Sequence, residues 1–281
     1  MTATAVPASG AARTRRPARA GGLTRTSGIG LGIAMSWFSL LVLIPLAAVV
    51  ATAAEGGWSG FWRTITNEQT AAAIRLTVGT SALVTAVNVV MGTLIAWVLV
   101  RDRFFGKRAL EVLIDIPFAL PTIVAGLVLL SLYGPDSPLG VDVANTRSAV
   151  FLAFLFVTLP FIVRTVQPVL AELDPEAEEA AASLGASRFT TFRRIVLPAL
   201  TPAIAAGAAL SFARGVSEYG SLVLLSGNLP MRTEVTSVRV LSSIENDNLP
   251  AAASVATVLL VISLLVILAL DLLQRRMVRR G

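Results

Sequence analysis

Arg214 and Glu218 stand four residues apart in a long apolar stretch, the spacing that sets two side chains on one face of a helix. Such a pair can neutralise itself as structure, or it can line a polar path and take part in gating, because ionisable groups inside a membrane are functional candidates. A second charged group, Glu176, Glu178 and Glu179, breaks the apolar sequence in the passage EAEEAAASLGASRFTTFRRIVLPAL, Glu176 to Leu200. Other chemistry is restricted. The chain has neither Cys nor His, which removes thiol nucleophiles, metal sites built on those ligands and the commonest general base. Lys107 is the single lysine, in FFGKRAL. Arg108 stands where a phosphate-binding loop needs Ser or Thr, and the first glycine of that motif is missing. No catalytic group, no metal site and no ATP hydrolysis are therefore expected from this chain.

The elements that must position these charges are read from composition. Of the 281 residues 55% are hydrophobic and 14% charged, against about 25% charged in soluble domains. A helix crosses a bilayer with roughly 20 mostly apolar residues. Candidates are Ile29–Ala54, Leu76–Val100, Ile116–Tyr133, Ser148–Val163, a fifth from Pro198 that holds Arg214 and Glu218 in its later half, and Leu249–Leu270. These runs are too long and continuous for barrel strands. The expected fold is an all-α polytopic membrane protein of six transmembrane helices. Residues 1–28 read as a disordered, arginine-rich cytoplasmic arm, 29–273 as the transmembrane domain and 274–281 as a basic tail.

Arginine sets the orientation. Sixteen Lys and Arg residues fall on the side of the two tails and four on the other, which places both termini in the cytoplasm. The net charge of +6 follows from this bias and needs no nucleic acid. A secretory signal would have an apolar stretch of about 7–15 residues, shorter than Ile29–Ala54. An organellar transit peptide remains the other reading of an arm without acids before Glu55.

The charged passage carries helix signals. Asp174 can cap, Pro175 suits the first helical position, and the glutamates suit the positive end of the helix dipole. Gly185 fits a left-handed stop, Ser187 can cap a second short helix with Phe189, Phe192 and Val196 on one face, and Pro198 is expected to interrupt that helix. One reading is an amphipathic linker on the membrane surface. The spacing says more: Glu179-Ala180-Ala181, then Gly185, then Ile195, Leu197 and Pro198 match the pattern of the EAA loop and resemble the ABC importer permeases. The resemblance implies that 174–198 forms a cytoplasmic coupling elbow that docks on an ATPase, with small alanines permitting close approach and Gly185 the bend.

DIPFALPTIVAGL (from Asp115), LPFIVRTVQPVLAEL (from Leu159), LPALTPAIAAGAALSFAR (from Leu197) and RTEVTS (from Arg232) are similar to the sulfate/thiosulfate permeases of the T type. SEYG at Ser217–Gly220 departs from the Gly-Glu-Phe-Gly more frequent there. The likeness implies one half of an importer paired with a related W-type permease, a cytoplasmic ATPase dimer that holds ATP and Mg, and a sulfate-binding protein outside the cell inner membrane. Ser226–Pro250 is then a docking surface for that binding protein or a solvated connector. Molybdate permeases share the elbow and are the alternative; a stand-alone secondary transporter or channel would show repeats and broken helices. Arg164 is expected to snorkel, and Ala203 with Gly207 to let helices approach closely.

Overall fold

A computed structural model describes residues 25–278. Residues 1–24 of the expected arm and 279–281 of the basic tail lie outside the described residues. The chain divides into two units, 1–48 and 49–281. The helices are α1 (Arg25–Phe38), α2 (Ile44–Glu55), α3 (Gly57–Thr66), α4 (Glu68–Arg101), α5 (Lys107–Ala119), α6 (Thr122–Tyr133), α7 (Arg147–Ala171), α8 (Pro175–Ser183), α9 (Arg188–Thr191), α10 (Leu197–Val216), α11 (Gly220–Leu225), α12 (Thr236–Glu245) and α13 (Leu249–Val278). No strand occurs among the described residues.

Five helical runs are long and apolar enough to cross a membrane: Ser27–Glu55, Glu68–Arg101, Arg147–Ala171, Arg188–Val216 and Leu249–Arg276. The first contains a π-turn, Ser39–Leu43. Its helix α1 begins at Arg25, inside the stretch expected to be a disordered arm, because a formed helix extends into flanking residues without a new nucleation cost. The end at Val278 likewise carries helix into the expected tail, with Asp271 and Arg275 paired at 2.8 Å one turn apart.

The third expected span differs from expectation. Ile116–Tyr133 is not one helix: α5 and α6 meet at a bend of 118°. Pro121 cannot donate a backbone hydrogen bond, and Leu120 before it is held extended at φ −86°, ψ 135°. With 12 residues, α6 spans about 18 Å and is too short to cross alone. The fourth span is also longer than read. It does not end at Arg164 but runs on to Ala171, with Pro160 and Pro168 inside the helix.

The core of the larger unit is the packing of α4, α7 and α10. Asn67 caps α4, accepting from the amides of Gln69 and Thr70. The helix buries one stripe that includes Thr77, Ser81, Asn88, Gly92 and Ala96. Gly92 is required: a Cβ there would lie 2.8 Å from the Ile162 side chain of α7. From α10, a Cβ on Gly207 would lie 3.2 Å from the Ile162 Cα, so the close approach expected at Gly207 is present. Asn88 donates to Thr158 at 2.8 Å and so ties α4 to α7. Two apolar clusters follow the bundle axis. One, around Leu99, Val166, Val196 and Leu200, lies toward the α8 end. The other, around Val84, Phe154, Leu222 and Val235, lies toward the opposite end.

Two broken helices occupy that opposite half. The helix α10 stops at Val216, and after a short break α11 packs directly on α6. The contact is close because Gly126 faces the Ser221 backbone, where a Cβ would lie 2.6 Å from the carbonyl oxygen. Ser226–Pro250 is not a loop throughout. It contains α12, packed on α13 and α4, where the Thr236 amide donates to Thr77 at 2.9 Å.

Candidate coupling elbow and buried charge pairs

The elbow is built from its caps outward. Asp174 accepts from the Glu176 amide at 2.9 Å and starts α8. Ala182 and Ala181 carbonyls accept from the amides of Gly185 and Ala186 at 2.9 and 3.0 Å. Gly185 stands at φ +82°, a conformation costly for residues with a Cβ. Ser187 accepts from the Thr190 amide at 3.2 Å and starts α9. From there the chain is helical through Val216. Pro198 does not interrupt it. The residues Phe192–Val196 form a π-turn in which the Leu197 amide donates to the Phe192 carbonyl. One extra residue in the turn lets the helix pass into the two-proline start of α10 without a break.

Glu179, Ala180, Gly185 and Pro198 are exposed, and Ala181, Ile195 and Leu197 are half-buried. Leu184 and Phe189 project with 89% and 71% exposure, so Phe189 does not share the inward face expected of it. Phe192 and Val196 do turn inward. Phe192 packs edge-on against Trp97 at 5.6 Å, and Arg101 lies over the same ring at 5.4 Å. Arg101 also pairs with Glu178. The elbow is thus fastened to the end of α4 by a Glu178–Arg101–Trp97–Phe192 chain of contacts, while its alanines and Leu184 face away.

Arg214 and Glu218 are brought together, but not within one helix. Glu218 follows the end of α10 and lies in the break before α11. Ser217, accepting no further helical turn, closes α10 and releases the chain. The Glu218 side chain is fully buried. One oxygen accepts from the Ser221 amide and hydroxyl at 2.9 Å each, so the carboxylate caps α11. The other lies 2.7 Å from the Arg214 guanidinium. Ser237 donates to the Glu218 carbonyl at 2.6 Å. Arg164, expected to snorkel, is held by neighbouring side chains and backbone. Its guanidinium grips Asp115 through Nε at 2.7 Å and a second nitrogen, and adds Gln167 at 2.8 Å and the Glu111 carbonyl at 3.0 Å. A fork of this kind locks the angle between α5 and α7.

Residues 88–280 match the model of the family described as binding-protein-dependent transport system inner membrane component. The sulfate transport system permease protein CysT of Escherichia coli (strain K12) is 42% identical over 259 residues, 90% of this chain and 94% of that protein. The protein of the same name from Synechocystis is 44% identical over 250 residues, 86% and 87% of the two chains. The chain belongs to the binding-protein-dependent transport inner membrane component family. Among solved structures, a bacterial alginate ABC transporter in complex with its alginate-bound periplasmic protein has a subunit that superposes with a TM-score of 0.73 at 18% identity, covering 89% of this chain and 93% of that one. The MetNI methionine ABC transporter in inward-facing conformations gives 0.53 at 17% identity, covering 74% and 94%. At these identities the likeness concerns the fold.

Within this inner membrane component, the sequence pattern identified the elbow but missed its fastening. Arg101 is 77 residues from Glu178, and Asp115 is 49 from Arg164. No local spacing links either pair. A signal for the first was present in the basic, aromatic run RDRFFGK at Arg101–Lys107, which places Phe104 and Phe105 on the surface beside charged neighbours.

Proposed function

We propose that this chain is one transmembrane permease subunit of an ATP-driven importer that passes sulfate, and thiosulfate with it, into the cytoplasm. The observation that carries the reading is identity of 42% across nearly the whole chain to a permease named for sulfate transport. The elbow supports the mechanism. A cytoplasmic ATPase dimer, holding ATP and Mg, grips α8 through Glu179, Ala180, Ala181 and the exposed Leu184, and Gly185 fixes the angle. Because helix runs from Arg188 to Val216, movement of the elbow is passed along one rod, by way of Ile195, Leu197 and Pro198, to the break at Glu218. A π-turn is a place where a helix bends readily, so Phe192–Val196 is the joint of that lever.

Both termini and the elbow face the cytoplasm, in keeping with the arginine bias. A related W-type permease supplies the other half of the path, and a sulfate-binding protein delivers the anion from outside. Broken helices such as α5–α6 also occur in secondary transporters, but an ATPase-docking elbow has no use there. The test is to delete the gene in its host and follow radiolabelled sulfate uptake with unlabelled competitors. Loss of uptake, restoration by the plasmid-borne gene and strong competition by thiosulfate are expected. Unchanged sulfate uptake, or competition by molybdate in place of thiosulfate, would contradict the assignment.

A further inference from the structure

The arginines of the larger unit differ in what they hold. Arg101, Arg164 and Arg214 each hold a carboxylate, that of Glu178, Asp115 and Glu218 in turn. Arg75, Arg147 and Arg232 hold none among the described residues, and all three line one open groove of about 720 Å³ at the end of the bundle opposite the elbow. Two of them are held in place through the backbone. Arg75 donates Nε to the Ala71 carbonyl at 3.2 Å, and Arg147 donates Nε to the Arg232 carbonyl at 3.2 Å. A guanidinium carries five donors, so the terminal nitrogens of both remain available. The anchoring bond also draws the Arg147 head to the segment that carries Arg232.

The rest of the lining fits an anion. Thr80 and Ser148 are among the lining residues, and Ser148 belongs to the first turn of α7, whose dipole adds partial positive charge there. Two acids share the lining, Glu68 and Glu234. Glu234 is buried and accepts from Gln69 at 2.8 Å. Three arginines against two glutamates leave a modest positive excess. The wall is open at Gly79, where a Cβ would meet nothing within 4 Å. A water occupies about 30 Å³ of liquid, so the groove admits an anion together with part of its hydration shell.

We propose that Arg75, Arg147 and Arg232 form a transit site for a tetrahedral divalent oxyanion on the outer side of this permease, where the anion rests after delivery and before the path opens. The proposal rests on the sulfate reading above. Guanidinium groups suit sulfate because they donate in pairs to adjacent oxygens. The two glutamates keep the site weak, and a site on a conduction path must release as well as bind. A site of this kind acts after delivery. Its loss lowers the maximal transport rate and leaves the affinity for the binding protein unchanged.

The experiment uses the complete importer, with its partner permease and ATPase, reconstituted in phosphatidylcholine vesicles with and without phosphatidylglycerol. Uptake of radiolabelled sulfate is followed while the binding protein is titrated. Replacing Arg75, Arg147 or Arg232 singly by Gln is expected to lower the maximal rate about tenfold, the loss expected for one hydrogen bond to a charged group. Lys at the same positions keeps the charge but not the paired donors, and should give a rate between those of Gln and Arg. Gly79→Glu, which adds negative charge where there is room for it, should lower the rate as the Gln variants do, and Gly79→Ala should not. An unchanged maximal rate in the Gln variants would overturn the proposal. So would a rise in the half-saturating binding-protein concentration, which would make the groove a docking surface. A defect confined to vesicles with phosphatidylglycerol would overturn it in favour of a lipid headgroup. Failure of the unaltered importer to carry sulfate at all would instead remove the functional reading on which the site depends.

Discussion

A single carboxylate illustrates how this chain uses charge. Glu218 is fully buried yet has two tasks, since one oxygen caps α11 through Ser221 and the other holds Arg214. Removing the arginine alone leaves a buried charge without its counter-ion, which costs about 3 kcal/mol, the low end of the usual range because Arg214 is 29% exposed. Arg214→Leu is therefore expected to reduce the level of folded protein in the membrane several-fold, read by immunoblot of washed membranes and by detergent thermal melting. Arg214→Leu combined with Glu218→Gln should recover most of it, because the amide still accepts from Ser221 and no charge is stranded. Recovery of level without recovery of transport would assign the pair to gating; recovery of both would assign it to structure. The sequence placed these two residues together, because an i, i+4 spacing survives the end of the helix. It did not reveal that Glu218 lies past that end. Ser217 is an unremarkable residue in a hydropathy profile, and the break is set by the packing of α11 on α6.

At the scale of elements, the elbow was the most legible part of the fold. Its information is local: a cap at Asp174, a left-handed stop at Gly185, a second cap at Ser187. The π-turn at Phe192–Val196 was not legible, since an added residue per turn leaves the apolar pattern almost unchanged. The bend at Pro121 lay between the two outcomes. Leu-Pro is a helix-stop signal, but continuous hydropathy through Tyr133 masked it. Arg193 lies in the π-turn and is exposed, so its deletion should convert the turn to ordinary α-helix without disturbing the core. Each residue of α-helix turns the chain by about 100°, and α8 would be rotated by that amount about α10. The expected result is a membrane level within about twofold of the unaltered protein, with binding-protein-stimulated ATP hydrolysis reduced about tenfold or more. The threshold follows from the steric specificity of packed interfaces, where a misplaced anchor costs 2 kcal/mol or more. Normal stimulated hydrolysis in the deletion variant would show that the elbow does not have to be held in register.

For the whole molecule, composition alone pointed to helices in a membrane, and among the described residues the candidate crossings are five helical runs and one bent pair. The long-range contacts that set the bundle were not readable. Gly92 and Gly207 both approach Ile162, a relation between three helices that no single-helix pattern contains. The three arginines of the groove opposite the elbow come from α4, from the start of α7 and from the segment before α12, and they become a group only in the folded chain. On the proposed reading, function at this scale belongs to an assembly in which another chain supplies the ATPase. The most direct test of the account is sulfate accumulation by the reconstituted complex in sealed vesicles, with ATP and Mg supplied only on the face that carries the elbow. The account predicts uptake of radiolabelled sulfate, delivered by the binding protein on the opposite face, that requires ATP and stops when the ATPase is omitted. Equal uptake without ATP, or by this chain alone, would contradict it.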